Sequence, residues 1–120
     1  MPNYSRGKIY KITSEKGGLP YIGSCVIAKE RRLVKHMADF KRGLKLACYN
    51  HLMQPDCRVI LVEFFPCRSS NELRAREQYW MDAIPNCNWN RAMEKNKYKE
   101  FSVVSKWNRL AIILVSLRKR

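Results

Sequence analysis

The sequence predicts an α/β protein of the α+β type, with a small, three-stranded, mainly antiparallel sheet flanked by helices. Two apolar segments near the start are separated by a turn rich in glycine and proline, which is the pattern of a β-hairpin. A third apolar run, from Cys57 to Phe65, supplies one more strand. Segments 29–43 and 70–84 carry apolar residues at helical spacing. A chain of 120 residues has room for one domain with a modest core.

The hairpin is predicted from Lys8 to Thr13 and from Tyr21 to Ile27, around the turn from Gly17 to Pro20. Both segments contain β-branched and aromatic residues, which favour strands. Pairing of the two strands would bring Tyr10 and Tyr21 close together.

The first helix is predicted from about Lys29 to Arg42, with Gly43 near its end. Its apolar residues recur at spacings of four, three and four, and they are Leu33, Met37, Phe40 and Leu44. A second, shorter helix is predicted from Leu46 to Met53, ahead of Pro55.

The run from Cys57 to Phe65 is apolar on nearly both faces, which is typical of a well-buried central strand. Pro66 ends this strand. Ser69 and Glu72 then form a capping-box pattern that opens a helix running to about Ile84.

The charge of the chain favours a polyanionic partner. The 24 Lys and Arg residues outnumber the ten Asp and Glu residues, which gives a net charge of +14. Nucleic acid is the first partner that such an excess indicates, and an anionic membrane surface is the second. The apolar run from Leu110 to Leu117 is much shorter than the ~20 residues of a membrane-spanning helix, so we expect no membrane insertion.

The cysteine pattern indicates an intracellular protein, cytoplasmic or nuclear and not secreted. The five cysteines are odd in number, none has Cys-x-x-Cys spacing, and no signal-peptide pattern follows Met1. Reduced thiols fit such a compartment.

Glu77 is a charged residue at a position where the helical pattern predicts an apolar one. It falls inside the apolar stripe of the last predicted helix, whose members are Leu73, Trp80, Met81 and Ile84. An ionised carboxylate on a core-facing side costs several kcal/mol without compensation. A salt bridge, for example to Arg58, is one explanation. A divalent cation is the other, because Mg²⁺ favours one or two carboxylates together with water and substrate phosphate.

Arg32 and His36 lie four residues apart and therefore share one flank of the first helix. They would form a solvated basic face, or Arg32 would clamp a phosphate while His36 orients a tyrosine hydroxyl. Tyr10 and Tyr21 are ordinary strand aromatics unless nearby cations lower the pKa of one phenol.

Five motifs in order are similar to those of the GIY-YIG nuclease family. They are Gly7-Lys8-Ile9-Tyr10, Tyr21-Ile22-Gly23-Ser24, the helix segment from Arg31 to His36, the glutamate helix from Leu73 to Met81, and the asparagine segment from Asn86 to Ala92. Each motif alone is weak, but the ordered set is specific and covers about residues 6–92. The resemblance implies the same fold and a metal-dependent endonuclease.

The resemblance also implies roles for individual residues. Tyr10 would be the general base acting on water, and Tyr21 would line the site. Arg32 would stabilise phosphoryl charge, and His36 would hydrogen-bond near Tyr10. Glu77 would hold a single Mg²⁺ (or Mn²⁺). Asn88 would support the site, with Asn90 as the alternative two residues away.

DNA, duplex or branched, is the expected substrate, and four cations are expected to contact nucleic acid: Lys8, Lys35, Arg42 and Arg91. The alternative function is a non-catalytic nucleic-acid-binding module of the same fold. A partner protein could supply the choice of target, and the sequence assigns no oligomeric state.

The predicted domains are a nuclease-like domain over residues 1–92 and a basic C-terminal extension over residues 93–120. The extension has eight Lys and Arg residues against two Glu, a net charge of +6. We expect it to contact DNA without sequence preference. A surface helix packed on the domain, or an amphipathic membrane or protein anchor from Trp107 to Arg120, remain the alternatives.

Overall fold

A computed structural model describes residues 2–101 of the chain. A short 3₁₀ helix, Tyr4–Arg6, precedes strands β1 (Lys8–Thr13) and β2 (Tyr21–Cys25). Helices α1 (Lys29–Lys41) and α2 (Tyr49–Leu52) follow, then strand β3 (Arg58–Phe64) and helix α3 (Ser70–Ala83). Residues 95–101 are also helical.

The sheet has three antiparallel strands in the order β2-β1-β3, which confirms the predicted fold class. The prediction that the third strand is central was wrong, because β1 pairs with both of its neighbours. The β3 side chains of Leu61 and Phe64 are 47% and 53% exposed. A three-stranded sheet has one central place, and β1 fills it with Ile9, Tyr10 and Ile12, which are almost completely buried.

Each face of the sheet packs against one of the long helices. The apolar residues of α1 pack against a cluster that contains Tyr10 and Ile12, and these α1 residues are Leu33, Met37 and Phe40. The stripe of α3 packs on the other face, around Ile9 and Ile22, and its members are Leu73, Trp80, Met81 and Ile84. Both predicted stripes are therefore core-facing.

Two helix ends differ from the sequence prediction. Leu44, predicted to belong to the first stripe, lies beyond the end of α1 and is about half exposed. Gly43 has a positive φ of 87°, a conformation that suits glycine and turns the chain away from the helix axis. Helix α2 is also shorter than predicted and covers only four residues.

The predicted capping box at the start of α3 is formed at its Ser69 half, while Glu72 bonds to the residue before the N-cap. The Ser69 hydroxyl accepts a hydrogen bond from the Glu72 backbone N–H at 3.3 Å. The Glu72 carboxylate reaches back to the N–H of Arg68 at 2.6 Å. The first of these bonds satisfies one of the backbone donors that a helix start leaves unpaired, and the second holds the residue before the N-cap against the helix.

A buried ion pair fixes α3 on the sheet. The guanidinium of Arg76, which is 1% exposed, donates two hydrogen bonds to Glu63 on β3, at 2.5 and 3.0 Å. Trp80 donates its indole N–H to the same carboxylate at 3.1 Å. Arg76 also lies 4.0 Å from the centre of the Tyr79 ring. Because Arg76 directly precedes Glu77, this network holds the part of α3 that carries Glu77 against β3.

The predicted amphipathic segment from Trp107 to Arg120 lies outside the described residues. Within residues 2–101, the search for an apolar helix of bilayer-spanning length finds none.

Candidate active site

The hairpin register places both tyrosines on one face of the sheet. Tyr10 lies opposite Gly23, and Tyr21 lies opposite Ile12, two residues further along. The phenol of Tyr10 crosses over Gly23, where a β-carbon would come within 2.4 Å of the Tyr10 hydroxyl oxygen. Only glycine leaves room for this position of the Tyr10 ring.

His36 connects the two tyrosines from helix α1. Its Nε2 atom is 3.1 Å from the Tyr10 hydroxyl, and the Tyr21 ring meets the imidazole edge-on at a centroid distance of 5.5 Å. His36 is buried. The predicted hydrogen bond between the helix and the first tyrosine is thus present in the structure.

The surroundings of His36 keep it neutral. Burial, followed by the positive charge of Arg32, lowers the pKa of His36 to about 4. A neutral imidazole has one nitrogen free to accept, so Nε2 can receive the proton of the Tyr10 hydroxyl.

Both phenols are harder to ionise than free tyrosine. Burial raises the pKa of Tyr10 far above its ordinary value, and the guanidinium of Arg32 only partly offsets this. Burial, followed by the charge of Glu77, raises the pKa of Tyr21 to about 12. The charge of Arg32 alone therefore does not bring the pKa of either phenol below its ordinary value, because the loss of solvation outweighs it. The sequence-based expectation, that Arg32 and a metal ion together lower this pKa, stays a prediction.

Arg32 acts on every ionisable group of this cluster. Burial disfavours its charged form, but the neighbouring Tyr10 and Tyr21 raise the pKa of Arg32 overall. Its positive charge lowers the pKa of Glu77. The guanidinium is thus a permanent cation beside both phenols.

Glu77 points from α3 to the edge of β2. One carboxylate oxygen accepts a hydrogen bond from the Ser24 hydroxyl at 2.5 Å. Burial raises the pKa of Glu77, whereas the Ser24 bond and the charges of Arg74 and Arg32 lower it. The salt bridge considered from the sequence is not formed, because Arg58 is an exposed residue at the start of β3, paired with Thr13 of β1.

Asn88 clamps the outer edge of β2. Its side chain accepts from the backbone N–H of Ile22 at 2.9 Å and donates to the carbonyl of Ile22 at 2.8 Å. Cys87 extends this contact through a hydrogen bond from its N–H to the Pro20 carbonyl. Both Ile22 groups would otherwise be unpaired at the sheet edge, directly beside Tyr21. The side chain of Asn90, in contrast, is exposed.

These groups meet at a cleft of about 320 Å³. Its walls include Tyr21, His36, Glu77 and Asn88. The segment after Asn88 supplies the rim, with Asn90 and Arg91, and Lys45 lies on the same wall. The structure therefore brings a carboxylate, an imidazole and a phenol to one cavity, with Tyr10 directly behind His36 and the charge of Arg32 beside them.

A comparison with known protein families identifies the family of the chain. The family model for the GIY-YIG catalytic domain matches residues 6–99. The chain belongs to the GIY-YIG family. This is a family of nucleases, so its members act on nucleic acid. No curated protein and no solved structure gives a significant match.

The GIY-YIG match extends beyond residue 92, where the sequence analysis placed the end of the domain. Met93 is buried, and the backbone N–H of Ala92 donates to the Gln78 side chain at 2.8 Å. Residues just after 92 thus lie against α3. The domain boundary itself remains a prediction.

The four cations expected to bind nucleic acid lie in different surroundings in the GIY-YIG domain. Arg91 is exposed at the rim of the cleft, although its Nε donates to the Met93 carbonyl at 3.0 Å. Lys35 is exposed on α1. Arg42 is paired with Asp39 at 2.9 Å. The ammonium of Lys8 donates to the Ile27 carbonyl at 2.8 Å, so it braces the loop after β2.

Sequence reasoning gave no role to Ser24, Lys45 or Trp89. Ser24 was part of the second motif, but its contact with Glu77 joins residues 53 positions apart, and no local pattern reveals it. Lys45 and Trp89 line the cleft from two different loops. Trp89 did carry a signal, because a large aromatic residue between two asparagines has no evident place in a core.

Proposed function

We propose that the chain is an endonuclease that hydrolyses phosphodiester bonds in DNA with the help of one divalent cation. The observation that carries this proposal is the convergence of Tyr21, His36 and Glu77 on one cleft. Tyr10 is hydrogen-bonded to His36 behind the wall of this cleft, and the permanent charge of Arg32 lies beside both phenols. General base, charge stabiliser and cation ligand are the three functions that metal-assisted phosphodiester hydrolysis needs.

Glu77 would hold the cation. Glu77 is the carboxylate on the wall of the cleft, and within residues 2–101 no group of three or more His, Cys, Asp and Glu side chains is placed to hold a metal. A single carboxylate fits Mg²⁺ or Mn²⁺, which are satisfied by one or two carboxylates when water and substrate phosphate complete the coordination. When bound, the cation would supply Lewis-acid polarisation of the phosphoryl oxygen and charge stabilisation at the leaving oxygen.

Tyr10 would move a proton without a free phenolate forming first. Its hydroxyl can donate to the neutral His36 Nε2, and its oxygen, which also interacts with the Arg32 guanidinium, would accept from an attacking water that reaches it from the cleft. As the water attacks phosphorus, its proton would pass to the Tyr10 oxygen while the Tyr10 proton passes to His36. This relay is consistent with the raised pKa of Tyr10, because the phenol is neutral before the reaction starts.

Arg32 would stabilise the negative charge that develops on the phosphoryl oxygens. A fixed cation or donor of this kind typically contributes about 3 kcal/mol to transition-state stabilisation. Arg32 also lowers the pKa of both phenols, so it stabilises any phenolate character that appears during proton transfer.

The decisive experiment is plasmid nicking with and without Mg²⁺, comparing the wild type with Glu77→Ala. We expect the variant to lose cutting while DNA affinity, measured without metal, stays within about twofold. Glu30→Gln is the matched control, because Glu30 is an exposed acid on α1 that pairs with its neighbour Lys29, and it should cut normally. Full activity of Glu77→Ala would remove the proposal, and absence of cutting by the wild type on duplex, branched, single-stranded DNA and RNA would favour the non-catalytic module.

A further inference from the structure

A second groove of about 410 Å³ adjoins the cleft and is mainly apolar in its lining. The two cavities share a wall formed by Lys45, Leu46 and Ala47, together with Trp89. A ligand in the groove would therefore lie directly beside whatever the cleft binds. Its volume lies in the range of about 300–1,000 Å³ that is common for small-ligand sites.

Two exposed aromatic rings line this groove. Trp89 is 63% exposed and Tyr49 is 43% exposed. The Tyr49 ring is braced from behind by Phe40, at a centroid distance of 5.2 Å. Exposed aromatic faces of this kind are the surfaces on which single nucleobases stack.

Trp89 is exposed although the backbone that precedes it is fixed by hydrogen bonds. The residue before it, Asn88, is bonded to both backbone groups of Ile22. Asn86 donates to the carbonyls of Met81 and Ile84 at 2.7 and 2.9 Å. The Cys87 thiol donates to the carbonyl of Ala47 at 3.3 Å, which joins the two walls of the groove. Trp89 thus projects from an anchored backbone.

The charges around the groove suit a nucleotide. Its lining contains Lys45 and no acidic side chain. Arg91 lies just beyond Trp89 on the wall of the cleft. Cations at the edge of an aromatic surface can hold the phosphates on either side of a stacked base.

We propose that this groove binds one unstacked nucleobase of the DNA, next to the phosphodiester that lies in the cleft. The inference rests on the proposed function, since it assigns a base-binding subsite to the same substrate. It also defines a substrate class: DNA with an unpaired or splayed nucleotide at the cleavage point, as at a branch or a bulge. Uniform duplex would have to pay the unstacking energy first.

The test is equilibrium binding in metal-free buffer, followed by the fluorescence of 2-aminopurine. Two probes of equal length are used, a duplex with the fluorophore unpaired in a one-base bulge and the same duplex with it paired. For the wild type we expect tighter binding of the bulged probe and strong quenching of its fluorophore by stacking. Trp89→Ala should weaken binding of the bulged probe by about tenfold and remove most of the quenching.

Three variants make the result specific. Trp89→Phe keeps an aromatic face and should bind the bulged probe within about threefold of the wild type. Tyr49→Ala should weaken the same interaction. Leu61→Ala removes an exposed apolar side chain from β3, at the edge of the sheet opposite to β2, and should change nothing. Unfolding midpoints of all variants are measured alongside.

Two results would overturn the inference. If Trp89→Ala lowers the affinity for the bulged and the paired probe equally, Trp89 contacts the backbone of any DNA. Unchanged affinity and quenching would mean that the groove has another occupant, such as a partner protein. The binding test contains no metal, so its outcome does not depend on DNA cleavage. If the protein binds in this way but never cuts DNA when Mg²⁺ is added, the base-binding subsite stands and the proposed nuclease activity falls.

Discussion

The position of Tyr10 depends on a single glycine in the neighbouring strand. A β-carbon at Gly23 would lie 2.4 Å from both the Cζ atom and the hydroxyl oxygen of Tyr10, so Gly23→Ala must displace the ring. We expect a loss of cleavage rate of at least about 100-fold, since misplacement of a reacting group by about 1 Å is that costly. Cleavage of a labelled oligonucleotide under single-turnover conditions measures this loss.

Gly18→Ala is the control for Gly23→Ala, because it introduces backbone strain without crowding a neighbouring side chain. Gly18 has a φ of 82° and open space around its α-carbon, so alanine there should cost about 1 kcal/mol of stability and leave the rate unchanged. Gly23→Ala should lose stability as well, by roughly 1–3 kcal/mol of overpacking. Equal rates for the two variants would contradict a specific role of Gly23 in positioning Tyr10.

The neutral state of His36 should be visible in the pH dependence of stability. Because the pKa of His36 in the folded protein is about 4, below its ordinary 6.5, the unfolded chain binds more protons between these values. The stabilising contribution is complete above pH 6.5 and is lost as the pH falls towards 4. Its order of magnitude is about 3 kcal/mol.

Urea unfolding at pH 4.5 and pH 7, for the wild type and His36→Gln, measures this contribution. The raised pKa of Glu77 has the opposite sign, since a carboxyl group that binds its proton more tightly when folded stabilises at low pH. Both proteins retain Glu77, so the difference between them isolates His36. We expect a smaller loss of stability at pH 4.5 in His36→Gln, and parallel losses would show that His36 is not held neutral.

At the scale of secondary-structure elements, the edge of β2 is held by a residue outside the sheet. Asn88→Ala would leave the N–H and the carbonyl of Ile22 without their side-chain partner. We expect a loss of about 2–3 kcal/mol in the free energy of unfolding, because each buried polar group costs ~1–3 kcal/mol when unsatisfied. The site should loosen too, since Ile22 follows Tyr21.

Asn90→Ala is the matched control for this clamp. Asn90 lines the same cleft but is exposed, so its removal should change stability by less than about 0.5 kcal/mol. The comparison also decides between the two asparagines that the sequence left open. If Asn90→Ala proves as destabilising as Asn88→Ala, the assignment of the clamp is wrong.

The elements that local patterns specify were predictable, and the relations between elements were less so. The stripe of α1 and the Ser69 cap of α3 follow from spacing within one segment, and both are present. Whether β3 lies at the centre or at the edge of the sheet depends on how the three strands pair. The apolar run of β3 alone does not specify this pairing. The Tyr10–His36 bond was expected from family resemblance, whereas the Ser24–Glu77 bond joins residues that share no local pattern.

At the scale of the whole molecule, charge should govern how firmly the protein holds DNA. Each phosphate neutralised by Lys or Arg contributes about 0.9 to the slope of log affinity against log salt. Residues 102–120 carry five of the 24 Lys and Arg residues and no acidic residue. If this segment contacts phosphates, its removal should lower the slope measurably without altering the cleft.

The experiment compares the full chain with a chain that ends at residue 101, which keeps Met93 in its buried position. Affinity for a fluorescent duplex is measured without metal at several salt concentrations. We expect the truncated protein to bind more weakly at low salt, with a slope reduced by about 2–4, because up to five phosphate contacts are lost. A full-length variant in which all five Lys and Arg residues of segment 102–120 are changed to glutamine should give the same slope as the truncated chain. These residues are Lys106, Arg109, Arg118, Lys119 and Arg120. An unchanged slope in both would show that the excess charge acts through the domain surface alone, and the extension would then need a different explanation, such as an anchor to a membrane or a protein.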